Sequence, residues 1–163
     1  SYRDTLTITD GAIEKAKEAI QRGLPIITDT TMAASGINKT AAGKFGIEVH
    51  CFIGDEDVKA KAKESGMTRS AVSVEKAAGC YPECIYAVGN APTALMRLYE
   101  LIEEKKIRPA LIIGVPVGFV NVVEAKELIL RTDVPAIVAR GRKGGSNIAA
   151  AICNALLYEA GGR

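Results

Sequence analysis

The sequence predicts an α/β fold: a single-domain, doubly wound, mostly parallel five-stranded sheet with helices on both faces. Short apolar runs alternate with longer amphipathic stretches along all 163 residues. The runs are continuous rather than alternating, as in strands covered on both faces. The connections are short, which suits right-handed crossovers between parallel strands. With 48% apolar and 25% charged residues the chain can build one core of its own, so residues 1–163 read as one domain.

Thr9 or Asp10 is placed to cap a helix that runs to Gln21 and is stopped by Gly23. The first strand covers 24–28, and Asp29, Thr30 and Thr31 close it, with Asp29 read chiefly as a helix cap. A second strand follows at 47–53, then a helix from Asp55 to Ser65 stopped by Gly66, and another over 70–77. Strand 84–88 leads into helix 92–105, strand 110–113 into helix 120–130, and strand 135–139 into helix 146–159. In such a sheet the loops that follow the strands emerge together at the carboxyl edge, where ligands bind.

Three of those loops are rich in glycine. The last, Arg140-Gly141-Arg142-Lys143-Gly144-Gly145-Ser146, combines three cations with glycines that let amides turn outward, and Ser146 is placed to cap the next helix. An anion is its expected guest. In the loop Val88-Gly89-Asn90-Ala91-Pro92-Thr93, Pro92 suits a first helical position, Asn90 or Ala91 sits at the cap, Thr93 offers a hydroxyl, and free amides favour a carboxylate or phosphate. Gly114-Val115-Pro116-Val117-Gly118 brings no charge and reads as a pocket wall. Thr68, Arg69 and Ser70 open another helix, and Arg69 can fork onto a carboxylate.

Other classes fit poorly. No apolar run reaches the roughly 18 residues of a membrane span, and the start at Ser1 shows no secretory pattern. A net charge of +2 without basic runs beside aromatic platforms argues against nucleic acid. Cys51, Cys80, Cys84 and Cys153 lack paired spacing and the chain has one histidine, so no zinc quartet is expected. Reduced thiols in a cytoplasm are the simpler reading. No G-x-G-x-x-G follows the first strand, and 36–44 has the wrong spacing for a P-loop, with Phe45 where a hydroxyl would meet magnesium.

Taken together, Val88 to Leu95, Ile113 to Val120 and Arg140 to Ser146 resemble the precorrin-8X methylmutase family in order, spacing and position. Residues 25–36 with Asp29 and Met32, residues 68–71, and the stretch Val123-Glu124-Ala125-Lys126-Glu127 resemble it too. The resemblance implies an isomerase of corrin synthesis that moves a methyl group from C-11 to C-12 of precorrin-8X or its cobalt form, giving hydrogenobyrinate or cobyrinate. It implies a homodimer that consumes no cofactor or methyl donor. On this reading Asp29, Thr68, Arg69, Ser70, Asn90, Ala91, Pro92, Thr93, Arg140, Arg142, Lys143, Gly144, Gly145 and Ser146 meet the rim of the macrocycle, while Val115, Pro116, Val117 and Phe119 face the ring. The family's catalytic histidine lies ahead of the helix that begins near Asp10, and no residue here matches it, so the chain reads as lacking the family's N-terminal segment. His50, the one histidine, is read as a sheet residue before it is read as a replacement acid. Two other readings stay open: a corrinoid-binding relative without catalysis, and an α/β enzyme that holds a phosphorylated metabolite in a nest at Gly144, Gly145 and Ser146.

Overall fold

The computed structural model describes residues 6–118, 120–141 and 144–162. The expectations for Phe119, Arg142 and Lys143 fall outside them. The chain runs β1 (Leu6–Ile8), α1 (Ala12–Gln21), β2 (Ile26–Thr28), α2 (Thr31–Gly36), α3 (Lys39–Gly43), β3 (Val49–His50), α4 (Glu56–Ser65), α5 (Arg69–Cys80), β4 (Ile85–Val88), α6 (Pro92–Glu103), β5 (Leu111–Gly114), α7 (Val122–Leu130), β6 (Ala136–Ala139) and α8 (Ser146–Ala160).

The strands form one six-stranded sheet in the order β1-β6-β5-β4-β2-β3. Five of them are parallel, and β1 pairs antiparallel with β6, Thr7 opposite Val138. The α/β, mostly parallel architecture is therefore as the sequence predicts, with the five expected strands joined by a sixth at the edge. Strands β4, β5 and β6 are buried along their whole length, which explains their continuous apolar sequence. Helices cover both faces. Ile26, Ile85, Ala87 and Ile113 pack under α1 and α8, while Ile27, Tyr86, Val88 and Ile112 pack under α5, α6 and α7.

Several local expectations are corrected. Helix α1 is capped by Gly11 with a left-handed backbone, because the Thr9 hydroxyl is engaged with Ala136, accepting from its amide at 2.9 Å. Asp55 stands at the cap of α4 without bonding its amides, since its carboxylate takes the Lys76 ammonium at 2.7 Å. Helices α2 and α3 occupy a stretch where the sequence offered Asp29 as a cap, but each is started by another side chain: Thr30 accepts from Ala33 N and Asn38 from Ala41 N, both at 3.0 Å. Strand 47–53 shrinks to Val49–His50 at the sheet's edge. No helix among the described residues is long and apolar enough to cross a membrane.

From β2 the chain passes outward to β3 and then returns across the sheet to β4. The strand order reverses between β2 and β4, and crevices for ligands open at the carboxyl ends of such a pair.

Candidate functional site

Asp29 follows β2 at this reversal, and its side chain decides the shape of the neighbouring loop. The carboxylate is 2% exposed. It accepts three backbone amides: Gly89 at 2.8 Å on Oδ1, and Asn90 at 2.9 Å and Ala91 at 2.8 Å on Oδ2. Burial pushes the Asp29 carboxyl above the usual carboxylate range, and the three amide donors oppose that push. The amides expected to be free for a substrate anion are thus taken by an anion of the protein itself. Asp29 caps no helix of its own, because Thr30 does so for α2.

The start of α8 differs. Gly145, not Ser146, is the cap residue; its φ of 134° is one that side chains rarely adopt, and it makes no side-chain bond to the helix. Ser146 is the first helical residue, and its hydroxyl lies 2.8 Å from that of Thr30, which ties α8 to α2. First-turn amides have no carbonyl four residues back to reach, and Ser146, Asn147 and Ile148 line an open cleft of about 530 Å³. Thr30, Thr31, Met32, Gly89, Asn90, Val117, Gly144 and Gly145 complete its walls. The partial positive charge of a helix N-terminus faces this space; Arg140, exposed at the end of β6, does not line it.

The loops meet closely. The amide of Gly145 donates to Val115 O at 2.8 Å, and at Gly89 a side chain would lie 2.6 Å from Ser146 Cα. Glycine is required there because backbone occupies the place of a Cβ.

A sequence model of the precorrin-8X methylmutase family matches residues 1–159. The chain belongs to this family. It is 44% identical to a cobalt-precorrin-8 methylmutase of Leptospira interrogans over 96% of its own length and 74% of that protein, and 46% identical to one of Salmonella typhimurium, covering 97% and 74%. A precorrin-8X methylmutase of Pseudomonas aeruginosa is 40% identical. The crystal structure of precorrin-8X methylmutase from Thermus thermophilus superposes with a TM-score of 0.90 at 39% identity, covering 98% of this chain and 78% of the other.

Of the residues that the methylmutase resemblance singled out, Asn90, Val117, Gly144, Gly145 and Ser146 share the cleft. Ala91 and Pro92 form the cap and first residue of α6. Thr68 caps α5, accepting from Ala71 N at 3.1 Å, and its hydroxyl donates to Thr93 at 3.2 Å. That contact places Arg69, exposed, and Ser70, half-buried, beside the start of α6 on the other side of the β4–α6 loop. Val115 and Pro116 are buried and do not line the cleft, which leaves Val117 as its apolar residue on that loop. His50 lies on edge strand β3, 3.0 Å from Glu48 and stacked on Tyr81 at 4.7 Å between ring centres, and it does not line the cleft.

Two features were given no role in the sequence reading, although Met32 and Lys126 lie in stretches noted there for family likeness. Met32, 62% exposed, and Ile148 give the cleft apolar ground beside its amides. Lys126 on α7 is 3% exposed and donates from Nζ to Gly141 O at 2.8 Å. Its signal was phase: Val122, Lys126 and Ile129 fall on one helical stripe, where a lysine is out of place unless something inside receives it.

Proposed function

We propose that this chain catalyses the methyl shift of corrin synthesis, converting precorrin-8X or cobalt-precorrin-8 to its methyl-migrated product, with the macrocycle held at the carboxyl edge of the sheet. The reading is supported by family membership and by relatives named for that reaction in Leptospira, Salmonella and Pseudomonas. The observation that carries the site is the contrast between two helix starts. The loop before α6 is filled by Asp29, whereas α8 opens its first-turn amides to a cleft that also offers Met32, Val117 and Ile148. A guest with carboxylates on an apolar ring fits both kinds of surface.

The shift moves a methyl group within one molecule, from C-11 to C-12, so atoms balance without a donor. The residues of this chain hold and orient. Arg140 and the amides of Ser146, Asn147 and Ile148 receive substrate carboxylates, and the apolar wall receives the ring. Fixed dipoles at the cleft stabilise charge as it redistributes in the ring during migration. Proton transfer to the ring is assigned to none of the residues described here. The protein acts as a homodimer in the cytoplasm, in line with its four free thiols.

The test is conversion. The natural full-length enzyme is incubated with precorrin-8X and, separately, with cobalt-precorrin-8, and the visible spectrum is followed. Appearance of hydrogenobyrinate or cobyrinate supports the reading and identifies which ring is used. Saturable binding without conversion selects a corrinoid-binding relative, and protection from unfolding by simple sugar phosphates alone selects the phosphate-nest alternative.

A further inference from the structure

Lys126 occupies the buried stripe of α7, four residues after Val122 and three before Ile129. An ammonium taken from water into a protein needs acceptors there, since its desolvation exceeds what apolar burial of its stem returns. Gly141 O is such an acceptor, 2.8 Å from Nζ. Gly141 is the second residue beyond β6 and has a left-handed backbone, φ 63°. Four residues on, Gly145 N is bonded to Val115 O at 2.8 Å. Gly141 is therefore anchored by a side chain and Gly145 by backbone. Burial pulls the Lys126 amine down to about 8 from its ordinary 10.5, which still leaves it mostly charged at neutral pH.

We propose that Lys126 is a positioning residue for the reaction: by holding the Gly141 carbonyl it fixes the chain where it leaves β6 at Arg140 and Gly141, and it places a fixed positive charge behind the edge that receives substrate carboxylates. The role rests on the proposed function, because it acts through a loop read as a carboxylate grip. It needs no contact between Lys126 and substrate. A lysine that merely filled space would affect folding stability and leave substrate affinity alone.

Three variants of the full-length enzyme separate these roles: Lys126→Met, Lys126→Arg and Lys126→Gln. Lys126→Met removes donor and charge and is expected to raise KM about tenfold, with the dissociation constant for hydrogenobyrinic acid rising in parallel. Its kcat stays within about twofold, as for lost binding shared by ground and transition states. Lys126→Arg, which keeps charge and donors, restores most of the affinity. Lys126→Gln keeps a donor without charge and falls between them, about threefold weaker than wild type. It carries the test should Lys126→Met not fold. Wild-type KM and product affinity in whichever of the Met and Gln variants fold would overturn the proposal, as would an Arg variant no better than Met. Failure of the wild type itself to bind corrinoids would overturn the functional reading, and this proposal with it, and is recognised because it involves no change at Lys126.

Discussion

Gly144 passes so close to Val115 that a Cβ on it would sit 1.9 Å from the Val115 carbonyl oxygen. Its backbone, φ 153°, is also one that side chains rarely adopt. The second and third glycine loops therefore interlock, and the cleft at α8 owes its shape to that contact. Gly144→Ala is expected to cost roughly 2 to 3 kcal/mol of stability and to weaken corrinoid binding. Gly43→Ala, in a helix with open space around it, serves as control and is expected to be neutral or to stabilise by less than about 1 kcal/mol. Paired thermal melts and product titrations check both.

Asp29 is predicted to act on the site through the loop and not through substrate. In Asp29→Asn one carboxylate oxygen becomes an amide NH2, a donor that faces a backbone N–H with nothing to offer it. Either Gly89 or the pair Asn90 and Ala91 loses its acceptor. A loss of roughly 2 to 4 kcal/mol is expected in denaturant unfolding. Asp29→Glu, which keeps the charge but displaces it by a methylene, does not restore stability, because both oxygens are used in one geometry.

How much of this was legible beforehand follows from the range of the contacts. The apolar runs that became β4, β5 and β6 and the glycines after them are local patterns, so the edge carrying the site could be placed from sequence. The Asp29 clamp joins residues 60 apart, and β1 is three residues, two half-buried and one exposed, tied to β6 across a separation of 127 by Thr9. Neither leaves a local trace. Helices α2 and α3 are short and rich in alanine and glycine, with capping Thr30 and Asn38 as their one local signal. Lys126 sat within a stretch noted for its family likeness, yet lysines ordinarily face water, and its stripe gained meaning once Gly141 was found above it.

Glu75 predicts a pH dependence. It joins three helices, lying 2.7 Å from Lys61 of α4 and 2.7 Å from Arg97 of α6. Burial pushes its carboxyl up, but Lys61 and Arg97 outweigh this and hold it below its ordinary 4.5. A carboxylate with a depressed folded pKa adds stability that is present above the unfolded value and lost as pH falls through the folded one. Glu75→Gln is therefore expected to lose about 1 to 2 kcal/mol at pH 7, with the gap to wild type closing once pH drops below 4.5. Melting curves of both proteins from pH 7 to about pH 3 measure it. A gap that stays constant over that range would contradict the assignment.

The central claim is that the cleft before α8 holds a polycarboxylate tetrapyrrole, and a visible-band titration of the wild-type protein with hydrogenobyrinic acid and with cobyrinic acid tests it most directly. Saturable binding of at least one is predicted, weakened about tenfold by Arg140→Ala and weakened further by added salt. Failure of both rings to bind, or binding indifferent to Arg140, Gly144 and salt, would contradict it.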